Sequence, residues 1–372
     1  MAGSQPNTLP LVAKVNVQAL NVPLLSPFTV ASAVVEQVNN VAVQVMLSTG
    51  HSGWGEISIM PPITAEDQPF ALDAAKRVAQ WLPGHAANPW QAVLKEVAAH
   101  IPGHQYAAVR AGFEMALLDA LAQSQEVPLW RFFGGASDRV TTDITIPICP
   151  PQEAAALAFT YKQQGFETIK TKVGKEPKDD IIRLRAIRFS HPQCRLILDA
   201  NEGYTPNEAL DVLRLLQDAG MSPILLEQPV ARDDWEGLKE VTQQANRVYG
   251  VSVAADESCR SAADARRIAE NRIANVLNIK LAKCGVAGAL ETVAIAKEYG
   301  LELMMGGMVE TRLAMGFAAH LVAGVGGFRY VDLDTPLLLA SDPVQGGYSA
   351  SGPHYSLGST TGHGASLAVV ES

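Results

Sequence analysis

Short apolar runs recur along the middle of the chain, and each closes on a charged residue. Thr168-Ile169-Lys170-Thr171-Lys172, Leu196-Ile197-Leu198-Asp199, Ile224-Leu225-Leu226-Glu227, Val251-Ser252-Val253-Ala254-Ala255-Asp256 and Val276-Leu277-Asn278-Ile279-Lys280 begin roughly 25 to 30 residues apart, with helical patterning between most of them. Near-continuous runs of this length read as parallel strands buried on both faces, each followed by a helix that returns the chain. Eight candidate strands begin near Asp143, Thr168, Arg195, Pro223, Val251, Asn275, Leu301 and Phe328. The helices between them carry start signals. Thr205-Pro206-Asn207-Glu208 supplies a capping hydroxyl, a first-turn proline and an acceptor at the third position, and Ser261-Ala262-Ala263-Asp264 repeats the pattern with a shorter acid. Gly165, Gly220 and Gly300 stand where helices should end.

The pattern ahead of this region is different. Partial alternation over Val12 to Val22 and Val34 to Thr49 predicts two antiparallel strands joined by a loop around Pro23 to Ser32. Gly50, Gly53 and Gly55 around Trp54 and Glu56 suit either a mobile segment over a pocket or a plain surface turn. Helical periodicity follows over Ala65 to Trp81, Pro89 to His100 and Tyr106 to Gln125, the last with Val109, Phe113, Ala116, Leu117 and Ala120 on one stripe. Gly134-Gly135 marks a boundary, so residues 1–135 form an α+β domain and 136–340 the repeated α/β region. Residues 341–372 are too polar and broken for another unit and read as a tail returning to the first domain.

Strands with helical crossovers can form an open sheet or a closed barrel. No glycine-rich phosphate fingerprint follows the first strand, and reactive groups come from strand after strand, which favours the barrel. Composition adds little to that picture. At 372 residues the chain is long enough for two domains, and 48% apolar residues suit a globular α/β protein. A net charge of −9 argues against general nucleic-acid binding. Cys149, Cys194, Cys259 and Cys284 form no CxxC pair, which predicts free thiols in a reducing, cytoplasmic setting. Residues 1–10 lack the features of a signal peptide, and no apolar run reaches the roughly 20 residues that span a bilayer.

Asp199, Glu227 and Asp256 end consecutive strands, so a closed sheet makes them neighbours on its rim. Mutually repelling carboxylates brought together there need a cation, and all-oxygen ligation favours Mg²⁺, with Mn²⁺ as a substitute. Lys170 and Lys172 share one face of their strand, and Lys280 ends a strand across the ring. A bound carboxylate flanked by lysines is the arrangement that removes an α-proton and returns it from the opposite side. Two other readings use the same residues: a Schiff-base lysine, which leaves the acids without a task, and structural ion pairing.

The ordered set Lys170-Thr171-Lys172, Asp199-Ala200-Asn201, Glu227-Gln228-Pro229, Asp256-Glu257-Ser258 and Asn278-Ile279-Lys280-Leu281 resembles the enolase superfamily, in its muconate-lactonizing-enzyme-like branch. The resemblance covers nearly the whole chain. It implies a modified (β/α)₇β TIM-type barrel under an N-terminal α+β capping domain completed by the C-terminal tail. It also implies Asp199, Glu227 and Asp256 as metal ligands, Lys172 and Lys280 as acid/base residues, Lys170 as support for the metal-bound carboxylate and Asn201 as a supporting residue. Homo-oligomers are common in that branch.

Within the branch, Val331-Asp332-Leu333-Asp334-Thr335-Pro336 narrows the substrate. Asp332 and Asp334 share a face on the last strand, and the pair resembles the acids with which dipeptide epimerases bind a substrate's α-ammonium. The implied activity is inversion of the C-terminal α-carbon of an L,L-dipeptide. N-acyl amino acid racemase and o-succinylbenzoate synthase are the alternatives within the branch, and a barrel that keeps the metal site without catalysis is the non-enzyme alternative. Gly306-Gly307-Met308-Val309-Glu310-Thr311 resembles the branch's glycine-containing segment after the seventh strand, with Met308 toward substrate and Glu310 ordering Lys280. Phe28, Ile57 and Met60 are candidates for the pocket wall, and Glu257 for a supporting ion pair. Many relatives place a basic residue near Leu25 or Ser26, which this chain lacks, so apolar or broader dipeptides stay open beside an acidic one.

Overall fold

The N-terminal alternation becomes a three-stranded antiparallel sheet in the order β1 (Val12–Thr29), β2 (Val34–Leu47) and β3 (Ser52–Ile57). The computed structural model describes residues 9–29 and 34–367. β1 continues through Pro23, where a loop was expected. It is an edge strand, so a missing N–H is tolerated, and the register shifts between Pro23 and Phe28. Gly50, exposed with φ 86°, is in the turn between β2 and β3, one of the two readings expected, but Gly53 and Gly55 are in neither a lid nor a turn. They lie in β3 against the helix α3 (Ala107–Ser124), and a Cβ at Gly55 would stand 2.1 Å from the Gly112 carbonyl oxygen. Helices α1 (Gln68–Trp81) and α2 (Trp90–His100) complete the cap. α3 is buried on nearly all sides, a wider contact than its predicted stripe, because the sheet covers one side and the barrel another.

A short α4 (Leu129–Phe132) and β4 (Arg139–Thr141) lead into eight parallel strands. These are β5 (Ile144–Ile146), β6 (Thr168–Lys172), β7 (Arg195–Asp199), β8 (Leu225–Glu227), β9 (Ser252–Ala255), β10 (Val276–Ile279), β11 (Glu302–Met305) and β12 (Phe328–Val331), paired in that order. Seven helices alternate with them: α5 (Pro151–Gln163), α6 (Pro177–Ser190), α7 (Pro206–Asp218), α8 (Trp235–Gln244), α9 (Ala262–Asn271), α10 (Leu281–Tyr299) and α11 (Arg312–Val325). The Asp143 N–H donates to the Val331 carbonyl at 2.9 Å, joining the first strand to the last. The predicted capping box forms at Thr205 and Glu208, and Ser261 caps α9.

Period-two alternation sorts the barrel interior into layers. Ile197, Leu225, Ala254, Val276, Met304 and Tyr330 make an apolar floor. The next inward position on five of these strands is Asp199, Glu227, Asp256, Asn278 and Asp332, so one step along each strand moves from floor to reactive layer. The tail makes two small pairings. β13 (Val344–Gly346) joins β16 (Ala365–Leu367), while β14 (Ser349–Ser351) and β15 (His354–Ser356) extend β4. It meets the cap where the Leu129 N–H donates to the Gly362 carbonyl at 2.7 Å and the His363 N–H to Asp119 Oδ1 at 2.7 Å.

Candidate active site

Strand ends bring the predicted residues into one buried cluster. Lys170 Nζ lies 3.0 Å from Asp199 Oδ2, 2.8 Å from Glu227 Oε2 and 2.7 Å from Asp332 Oδ2. Lys172 Nζ holds the same Asp199 oxygen at 2.6 Å, and across the ring Lys280 Nζ lies 2.6 Å from Asp256 Oδ2. Glu227 stands between these two pairs on β8, oriented by Asn278, whose Nδ2 donates to Oε1 at 2.8 Å. Gln228 explains the residue after the glutamate. Its side-chain oxygen accepts from the N–H groups of Asp256 and Ser258 at 2.9 and 3.1 Å, which fixes where the next strand delivers its acid.

Charge is unevenly supplied here. Asp199, Glu227, Asp256, Asp332 and Asp334 are all buried, with Lys170, Lys172 and Lys280 among them. Burial pushes the Glu227 carboxyl up to about 8, and Asp199 beside it adds to the shift. Burial acts the same way on Asp199 and Asp256, but the lysines outweigh it and hold both well below the ordinary carboxylate range. Lys280 is buried against its charge, yet Asp256 and Glu227 raise it above the usual lysine value. A cation that took up these carboxylates would remove that upward pull on the lysine.

The residues fit a divalent cation. Glu227 Oε2 and Asp256 Oδ2 are buried without a well-directed hydrogen bond, each facing only an ammonium. Ammonium groups stand between the acids, and no three His, Cys, Asp or Glu side chains among the described residues already converge in ligating geometry. Hard carboxylate oxygens at three adjacent strand ends suit Mg²⁺.

The opposite wall is also acidic. Burial works against the Asp332 charge, but Lys170, which it holds at 2.7 Å, together with Lys172 and Lys280 outweighs it and keeps the carboxyl low. Asp334 Oδ2 accepts from the Thr145 N–H at 2.6 Å, while Oδ1 is buried and unpartnered. Burial and the neighbouring Asp332 push Asp334 up to about 7. A third acid that sequence reasoning did not single out, Asp143, precedes β5 and lies outside the chamber lining; both its oxygens are buried without a partner, and burial with Asp332 and Asp334 raises it well above normal. Its position just ahead of the first barrel strand was the available signal.

Three further residues differ in detail from expectation. Asn201 lines the chamber; its N–H donates to Asp199 Oδ1 at 3.1 Å and its Nδ2 to Glu257 Oε1 at 3.2 Å, so Glu257 takes an amide where an ion pair was predicted. Glu310 accepts from Ser58 Oγ and from the Met308 N–H, facing the cap where direct ordering of Lys280 was expected. Met308 and Met60 line the chamber, Ile57 is buried in the core beneath the cap, and the Phe28 side chain lies outside the described residues. Lys283, three residues past Lys280, also escaped notice, although it contacts Asp256 directly.

The chain's own motifs match family models across both domains: "Mandelate racemase / muconate lactonizing enzyme, N-terminal domain" over residues 12–134 and "Enolase C-terminal domain-like" over residues 152–370. The chain belongs to the mandelate racemase/muconate lactonizing enzyme family of the enolase superfamily. Among family members, an L-Ala-D/L-amino acid epimerase of Populus trichocarpa is 57% identical over 344 residues, covering 92% of this chain and 82% of the relative. A substrate-liganded L-Ala-D/L-Glu epimerase from Bacillus subtilis superposes with a TM-score of 0.92 at 34% identity, covering 96% of this chain and 100% of that one. A dipeptide epimerase from Enterococcus faecalis, complexed with Mg and the dipeptide L-Leu-L-Tyr, gives 0.90 at 35% identity, with coverages of 96% and 99%. Like other members of the family, the chain has an α/β barrel beneath an N-terminal cap. Among the described residues no helix is long and apolar enough to cross a membrane.

Proposed function

We propose that this family member is a Mg²⁺-dependent epimerase that inverts the α-carbon of the C-terminal residue of an L,L-dipeptide. The observation that carries the reading is the separation of Lys172, on Asp199, from Lys280, on Asp256, with Glu227 between them. Asp199, Glu227 and Asp256 would hold the cation, which when bound supplies positive charge against the substrate carboxylate as the neighbouring proton leaves. Lys172 Nζ and Lys280 Nζ approach from opposite sides, so one takes the α-proton and the other returns one to the opposite face. Lys170 neutralises Asp199 and Asp332 and keeps its charge: burial opposes it, but the surrounding carboxylates raise it well above the ordinary value. Asp332 and Asp334 face the same chamber and suit the substrate's α-ammonium.

Met60 and Ile63 of the cap close the chamber on one side. A cavity of about 860 Å³ opens there, floored by Ile59 and Met60, with the carboxylates of Glu36 and Asp67 among its lining groups. Met60 also lines the reaction chamber. That lining supports large neutral or basic side chains and disfavours an acidic one. Exposed Phe159, Ile182 and Phe189 on the adjoining helices α5 and α6 support a homo-oligomer, and four unpaired thiols support a cytoplasmic location.

Incubation with a dipeptide library in D₂O and Mg²⁺ tests the assignment. Deuterium at the C-terminal α-carbon together with L,D product is expected. Faster turnover of N-acylated amino acids than of free dipeptides would favour the racemase alternative, and no exchange with any substrate would reject both.

A further inference from the structure

Lys283 lies outside the strand-end pattern and takes no part in the reaction above. It is buried, and each of its three ammonium protons has an oxygen to meet: Asp256 Oδ1 at 2.5 Å, the Asp256 carbonyl at 2.5 Å and the Asn278 carbonyl at 3.1 Å. A lysine spent in this way has no proton to exchange with substrate. Lys280, by contrast, touches the other carboxylate oxygen of Asp256, Oδ2, and lines the chamber. The two lysines thus divide one carboxylate between them, with one oxygen turned to the scaffold and one to the site.

We infer that Lys283 is a positioning residue for the metal: by clamping Oδ1 and the main chain of Asp256 it fixes which oxygen is presented to the cation. The inference rests on the reading of Asp256 as a metal ligand. The clamp is anchored from the other domain. The Lys283 N–H donates to the Lys280 carbonyl at 2.9 Å, and two residues later the chain breaks at Gly285, φ 72°. Helix geometry resumes where Glu114 of α3 accepts from the Val286 and Ala287 N–H groups at 2.5 and 3.0 Å. A Cβ at Gly285 would come within 2.6 Å of the same Glu114 oxygen, so the cap seats this turn directly.

Two effects of Lys283 on Mg²⁺ oppose each other, which makes the sign of the result informative. Its positive charge beside a ligand weakens cation binding, so removal should tighten binding if charge were its main influence. Its clamp pre-orients the ligand, so removal should loosen binding if orientation dominates, and supporting groups around metal ligands typically contribute about 10–100-fold in affinity.

Calorimetric titration of the apo-enzyme with Mg²⁺ alone decides between them. Lys283→Met is expected to weaken Mg²⁺ binding about 10–100-fold, with kcat partly restored at saturating Mg²⁺ and KM for the dipeptide unchanged. Binding as tight as wild type, or tighter, overturns the inference. Wild-type protein that binds no Mg²⁺, with Asp256→Asn behaving identically, removes the metal-site reading and this one with it. Should Lys283→Met fail to fold, ¹⁵N-labelled lysine in the intact enzyme supplies the readout. A slowly exchanging Lys283 ammonium signal is expected both with and without Mg²⁺, and its loss on adding Mg²⁺ would show that the clamp opens and overturn the proposal.

Discussion

Thr311 Oγ1 donates to Glu56 Oε2 at 2.6 Å across the join between barrel and cap. The same carboxylate accepts from the N–H groups of Thr311 and Ala314 at 3.1 and 3.2 Å, and Asn40 Nδ2 donates to its other oxygen at 2.6 Å. A cap residue therefore closes the N-terminus of α11, immediately after the loop that carries Met308 into the chamber. Negative charge is favoured there by the helix dipole, and the donors have no water to turn to. Glu56→Ala should cost about 3 kcal/mol, the scale of leaving charge-assisted buried donors unmatched. Urea unfolding measures it; a cost under about 1 kcal/mol would mean that the two domains hold together without this contact.

Removing one lysine should separate proton abstraction from inversion. Lys172 and Lys280 stand on different acids across the site, so a single survivor reaches only one face of the α-carbon. In Lys280→Met, net epimerisation should fall by about 10²–10⁴-fold, the usual worth of a positioned acid or base. Wash-in of deuterium from D₂O should persist for whichever epimer points its proton at Lys172. The converse should hold for Lys172→Met. NMR of the recovered dipeptides reads both, and loss of exchange from both epimers in both variants would contradict a two-sided mechanism.

The acid pair just past the last strand, which ends at Val331, predicts discrimination against blocked amino termini. Lys170 engages Oδ2 of Asp332, and Oδ1 of Asp334 is an unpartnered acceptor. A charge-assisted hydrogen bond of about 2 kcal/mol corresponds to roughly 30-fold in kcat/KM. Asp334→Asn should lose about that factor on a free dipeptide and almost nothing on its N-acetyl counterpart. Equal losses on both substrates would point to a purely structural role through Thr145.

Much of this site was legible because strand periodicity is rigid. Once Asp199, Glu227 and Asp256 are set at the ends of parallel strands, alternation alone turns them inward, and Lys170, Lys172 and Lys280 with them. What stayed hidden depends on contacts between distant segments. The glycines beside Trp54 have no local signature of packing, because the helix they meet lies about 60 residues on in the sequence. Lys283 sits in a turn after its strand, where no periodicity dictates direction, and only the Gly285 break and Glu114 aim it at Asp256. Pro23 read as a loop because its edge position, which makes it harmless, is a property of the assembled sheet.

His320 predicts an acid-sensitive step in stability. On α11 its Nδ1 accepts from the Trp130 N–H at 3.1 Å, so that nitrogen is unprotonated, and Nε2 donates to the Gly347 carbonyl at 3.2 Å. One neutral ring thereby ties barrel, cap and tail. Burial, with His363 nearby, lowers its pKa to about 3. The unfolded chain, with an ordinary histidine pKa near 6.5, binds the proton first as pH falls. Between about pH 6.5 and 3 the unfolded state holds more protons, so the histidine's contribution is full above that window and declines by roughly 1.4 kcal/mol per unit within it. Glu114 and Glu310, raised by burial to about 7, pull in the opposite direction, so the useful quantity is a difference between proteins. His320→Gln keeps an acceptor and a donor but cannot titrate. It should be less stable than wild type at pH 8, and the gap should close as pH falls through 6 and 5. Denaturant unfolding at each pH supplies the measurement; two curves that stay parallel from pH 8 to 5 would show that the ring does not sense protons.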